Sequence, residues 1–189
     1  EMTHWDPDCF LIDDTYYAIS GGANPPLFKS PDLQRWTFVG DFLRWDLPDV
    51  AIGEDISCPN FFWLDGRWML LCISHPFGCR YYLGDWDKEA EQFVPISHGR
   101  MNWRRPEQSI YETHYRDFFA PESVLTADGR RVMWAWLATL DEALNQRTIQ
   151  SLPRELSLGE DGRLRIRPLR ELESLRHDRE ILTELWVTP

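Results

Sequence analysis

The sequence predicts an all-β fold of the β-propeller type, and three observations predict it. Apolar, aromatic-rich runs of strand length fill most of the chain, tight-turn residues bound them, and one Pro-led hairpin pattern recurs. The first strands are Phe10 to Ile12 and Tyr16 to Ile19, separated by Asp13-Asp14. Phe61 to Leu64 and Trp68 to Ile73 flank Asp65-Gly66, and Val132 to Leu137 follows Asp128-Gly129. Such two-residue turns need positive φ, which Asp and Gly tolerate, so they predict hairpins. Stretches with a period of 3.6 are scarce. The best helix candidate is the short segment from Leu169 to Leu175.

The repeat becomes visible when the hairpins are stacked. Asp6-Pro7-Asp8-Cys9-Phe10 opens one copy, Cys58-Pro59-Asn60-Phe61-Phe62 a second, and Ala120-Pro121-Glu122-Ser123-Val124 a third. A weaker fourth copy starts at Leu152-Pro153-Arg154-Glu155 and runs to Asp161-Gly162-Arg163. A proline, a polar residue, an apolar strand, a tight turn and a second strand make one hairpin of a propeller blade. A β-sandwich is the competing architecture; the shared proline at each strand entry favours the propeller.

Composition narrows the function. The chain has 189 residues with 31 acidic and 20 basic side chains, a net charge of −11. No basic stripe is present to neutralise phosphates, which argues against nucleic acid and against an anionic membrane surface. No run approaches the length of a membrane-spanning helix. Ten tryptophans lean toward a ligand with flat apolar faces, such as a sugar. Cys9, Cys58, Cys72 and Cys79 show no metal-type pairing, and His75, His98 and His114 are scattered, so neither a metal nor another cofactor is expected. Reduced, buried thiols are the expectation.

In a propeller the inner strand of each blade starts beside the central channel. The prolines therefore bring Asp6, Asp8, Ser57, Asn60, Glu122, Arg154 and Glu155 toward one funnel. A single carboxylate of this kind is usually a turn cap, but a set at equivalent repeat positions is not explained that way. Several carboxylates in one pocket suit acid–base chemistry on a glycoside, one charged and one kept protonated.

These blocks resemble glycoside hydrolase family 32, the invertases, levanases and inulinases. Trp5-Asp6-Pro7 with Lys29-Ser30-Pro31-Asp32-Leu33-Gln34-Arg35-Trp36 resembles its Arg-Asp-Pro blade, and Ser57-Cys58-Pro59-Asn60 its Glu-Cys-Pro-Asp block. Phe118-Phe119-Ala120-Pro121-Glu122 resembles its Phe-Tyr-Ala-Pro-Gln segment, and Leu152 to Pro168 its last blade. The resemblance implies a five-bladed propeller, about four blades of it over residues 1–170, with 171–189 a linker toward a C-terminal β-sandwich. It also implies retaining hydrolysis or transfer of β-fructofuranosyl units from sucrose or fructans. The family's nucleophile lies in an Asn-Asp-Pro-Asn block that these residues lack, so it is expected upstream.

Asp6 matches the family's transition-state-stabilising aspartate, while Trp5 replaces its arginine. The acid/base glutamate falls on Ser57, which cannot protonate a leaving group. Glu122 and Glu54, the latter on a loop with Gly53, are equal candidates for that role. Asp55, Ser57, Trp5, Trp134 and Trp136 are candidate sugar-binding residues, the last two on one face of a strand. Core packing is an equally open reading of Trp134 and Trp136. Two rival functions remain: a sugar-binding propeller without turnover, suggested by Ser57, and a five-bladed arabinosidase or xylosidase.

Overall fold

The computed structural model describes residues 5–44, 47, 50, 54–75, 77–101, 116–138 and 149–178. The first sheet is a meander of β1 (Asp8–Ile12), β2 (Thr15–Ile19), β3 (Pro26–Ser30) and β4 (Thr37–Asp41). The second is a meander of β5 (Ser57–Leu64), β6 (Arg67–Ser74), β7 (Gly78–Asp87) and β8 (Gln92–Arg100). The third holds β9 (Arg116–Leu125), β10 (Arg131–Ala138), β11 (Ile149–Gln150), β12 (Arg154–Leu158) and β13 (Leu164–Pro168). There β11 and β12 pair with successive parts of β10, so they form one interrupted strand. All ladders are antiparallel.

The turns follow from the residues in them. Asp13 and Asp14 adopt φ of 46° and 63°, and Asp65 and Gly66 adopt 45° and 95°, as two-residue hairpins require. Asp128-Gly129 differs. It lies in a longer loop, closed by Arg130 N–H donating to Thr126 Oγ1 at 3.0 Å and Gly129 N–H to the Thr126 carbonyl at 3.0 Å. Threonine's hydroxyl supplies there what a second positive-φ residue supplies elsewhere. The helical segment near the end of the described residues is a 3-10 helix over Arg170–Leu175.

The sheets stack face to face. Phe10, Tyr17, Ile19, Phe42, Phe61, Leu70 and Phe93 form the core between the first and second, with Phe10 and Phe61 rings 4.7 Å apart. Phe62, Met69, Leu71, Leu83, Phe118, Met133 and Leu156 fill the space between the second and third. The middle sheet is therefore buried on both faces. That is why β5 and β6 read as unbroken apolar runs, whereas β1 alternates, with Phe10 and Ile12 buried and Cys9 and Leu11 exposed. The expectation of buried thiols holds for Cys72 and Cys79, but Cys58 is half-buried and Cys9 exposed on the outer face of β1.

The weak fourth repeat is not a separate sheet. Its strands are β12 and β13, which hydrogen-bond into the third sheet beside β10. Among the described residues there are thus three sheets where about four blades are expected. The short interval from Pro121 to Pro153 holds only the inner strands of that sheet, and the fourth copy supplies its outer half.

Two side chains fasten neighbouring sheets at equivalent positions. Asp8 Oδ2 accepts from Phe61 N–H at 2.6 Å, and Asn60 Oδ1 accepts from Ser123 N–H at 3.1 Å and from the Ser123 hydroxyl. The residue before each of the first three repeat prolines is left-handed: φ is 47° at Asp6, 45° at Cys58 and 45° at Ala120. In β5 and β9 this coincides with an extra residue opposite the partner strand, a β-bulge at the inner end.

Candidate active site

The inner strand ends bring Asp6, Cys58 and Glu122 together. Asp6 Oδ2 accepts from Cys58 N–H at 3.3 Å, with Cys58 Sγ 3.6 Å away. Burial pushes the Cys58 thiol up to about 12, and the charges of Asp6 and Glu122 add to that shift. Cys58 is therefore a neutral thiol between two carboxyls, a donor rather than a nucleophile.

Glu122 is the third member of the Asp8–Asn60–Glu122 series. Its carboxyl accepts no hydrogen bond among the described residues, unlike its two counterparts. Partial burial pushes its pKa up to about 7, and the charges of Asp8 and Asp6 push the same way. Asp8 is itself raised, by burial first, against the lowering effect of Phe61 N–H and the Arg131 charge. The Arg131 guanidinium lies over the Phe62 ring at 4.1 Å, which holds it in the sheet interface.

Glu122 opposes Trp134 across the β9–β10 ladder and lines a pocket of about 330 Å³ with Ala120, Trp134, Ala135, Trp136, Ile149 and Gln150. Trp134 and Trp136 both reach this pocket, and Trp136 is 37% exposed. The Phe119 ring lies 6.0 Å from Trp136.

Glu54 is placed elsewhere. It is only 5% exposed and its Oε1 accepts from Arg80 Nε at 2.6 Å and from the Tyr82 hydroxyl at 2.9 Å. Arg80, 6% exposed, reaches on to His98 Nδ1 at 2.7 Å. Gly53, on which an inward fold of this loop depends, lies outside the described residues.

Asp55 sits at the rim in a different network. It accepts from His75 N–H at 2.8 Å, from His75 Nδ1 at 2.6 Å and from the Ser57 hydroxyl at 3.0 Å. Burial alone would raise its pKa, but the bonds from His75 and Ser57 outweigh it and hold the carboxyl below its usual range. Ser57 is buried, and its Oγ accepts from Trp5 Nε1 at 3.4 Å. Arg154 and Glu155, named with the funnel, lie on β12, where the Arg154 guanidinium covers the Phe118 ring at 4.4 Å.

Sequence reasoning missed Cys58 and His75 as site residues. Cys58 carried a signal, the repeat position shared with Asp6. His75 carried none, because its contact with Asp55 joins residues 20 apart through the β5–β6 hairpin.

These observations meet in the comparisons. A model described as "Glycosyl hydrolases family 32 N-terminal domain" matches residues 3–168. The chain belongs to glycoside hydrolase family 32. Sucrose-6-phosphate hydrolase of Salmonella typhimurium is 28% identical over 201 residues, which covers 90% of this chain and 40% of that protein. The solved family-32 β-fructofuranosidase of Bombyx mori superposes with a TM-score of 0.70 at 22% identity, covering 92% of this chain and 39% of the other. An endo-arabinase of Bacteroides thetaiotaomicron superposes less well, with a TM-score of 0.52 at 15% identity over 87% of this chain and 56% of the other. This family-32 propeller chain spans about two-fifths of the length of its family-32 relatives.

Proposed function

We propose that the protein containing this chain is a retaining glycosidase acting on β-fructofuranosyl units of sucrose or fructans, with Glu122 as its acid/base. The observation that carries the reading is Glu122 itself. Desolvation and the charges of Asp8 and Asp6 push its pKa up to about 7, and it lines one pocket with Trp134 and Trp136. A general acid works best with a pKa near the working pH. Glu122 protonates the departing glycosidic oxygen, Asp6 accepts from sugar hydroxyls as positive charge builds on the ring, and Trp134 and Trp136 pack against its apolar face. The attacking carboxylate is supplied from outside these residues.

A fructoside with an activated leaving group, such as an aryl fructoside, needs little protonation. Glu122→Gln should lower turnover of sucrose by about 10²–10⁴-fold while largely sparing the aryl substrate. Equal losses on both would remove Glu122 from the role. The second reading, sugar binding without turnover, is favoured by Ser57, fixed between Trp5 and Asp55 where the family carries its acid. Absence of turnover of either substrate, with binding retained, would decide for it. The arabinosidase reading has the weaker structural match in its support.

A further inference from the structure

Trp5 is an exposed aromatic that is also rigidly held. Its backbone N–H donates to Ser20 Oγ at 3.1 Å and its carbonyl accepts from Gly21 N–H at 2.9 Å. The indole lies against the Gly21 backbone: a Cβ at that position would come within 2.3 Å of Nε1 and 2.7 Å of Cδ1. At its edge, Nε1–H donates to Ser57 Oγ, Ser57 donates to Asp55, and Asp55 also receives both donors of His75. An ionised carboxylate only accepts, so every proton in this relay points toward Asp55 and its order is fixed. Pinned at one edge, the indole is still 45% exposed. A large aromatic immobilised before any ligand arrives loses little entropy on binding one.

We propose that Trp5, held by the Ser57–Asp55–His75 relay, is a stacking platform for the apolar face of an uncharged sugar ring, and that the site discriminates against sugar phosphates. The inference rests on the glycosidase reading for the substrate class. Its discrimination comes from charge. Asp6 follows Trp5 directly, Asp55 ends the relay, and Glu122 and Asp8 act on the same strand ends. Arg131, whose charge acts on Asp8, is turned onto Phe62, and the His75 ring is engaged with Asp55. A phosphate brought here meets the like charges of Asp6, Asp8 and Glu122.

Calorimetric titration of the protein with sucrose and with sucrose 6-phosphate tests this. Sucrose should bind at least about 10-fold more tightly than its phosphate. Trp5→Ala should weaken sucrose about 10-fold with the circular dichroism spectrum unchanged. Trp5→Phe and Ser57→Ala, which keep a ring or its place but cut the relay, should each weaken it about 3-fold. Wild-type affinity in Trp5→Ala, tighter binding of the phosphate, or no sugar binding at all would overturn the inference. Trp5-dependent binding of sucrose without turnover would sink the glycosidase reading and leave this one standing.

Discussion

Asp6 combines two properties that rarely coincide: it is left-handed, with φ of 47°, and it precedes a proline. A proline disfavours α-type conformations in the residue before it, so the backbone there is held by its surroundings. Asn tolerates left-handed φ as Asp does and keeps an acceptor for Cys58 N–H. Asp6→Asn should therefore leave Tm within about 1–2 °C and still lower turnover by about 10²-fold, the loss of one transition-state contact. A Tm that falls with the activity would make Asp6 structural. Glu122 adds a pH test. Its folded pKa is raised from 4.5 to about 7, so the stabilising effect of its bound proton is complete below pH 4.5 and is lost as pH rises through 7. Glu122→Gln should gain in Tm relative to wild type between pH 4.5 and 8. A constant difference over that range would show that Glu122 does not titrate as described. Asp6 and Glu122 were legible in the sequence because the repeat carries them. The relay through Asp55 and His75 was not, since no local pattern joins its members.

At the scale of elements, the segment leading into β5 carries two acidic neighbours with different fates. Asp55 stays at the rim, while Glu54 turns into the core against β7 and meets Arg80 and Tyr82. Sequence alone offered Glu54 and Glu122 as equal acids, because the partner that separates them lies 26 residues away on another strand. Removing one member of a buried ion pair strands the other. Glu54→Gln should cost about 3–5 kcal/mol of stability, and any loss of turnover should be equal for sucrose and an aryl fructoside. Selective loss on sucrose would return Glu54 to the acid role. The hairpins themselves were readable from Asp13-Asp14 and Asp65-Gly66, whose backbones need what Asp and Gly allow. The fourth repeat misled for an equally local reason. A strand pair ending in a turn looks the same in sequence whether it opens a sheet or closes one.

On the scale of the whole molecule, the stack of three sheets has two outward faces, and both are apolar in part. Leu11 and Phe38 are exposed on the first sheet and Val124 on the third. Apolar patches of this kind drive association. The 189-residue chain should therefore self-associate at micromolar concentration in sedimentation experiments, and Val124→Lys should reduce it; a strictly monomeric wild-type chain would contradict this. The inner bulges have a different consequence. The surplus residue at the start of β5, and each of the two in β9, acts as a dislocation does in a crystal lattice: the alternation of the strand slips phase across it. Outward of the slip, side chains answer to the packing of Phe61, Phe62 and Met133; inward of it they answer to the funnel. The two sets of positions can then vary independently, so a scaffold of this kind can exchange its chemistry at the centre while its core stays as it is.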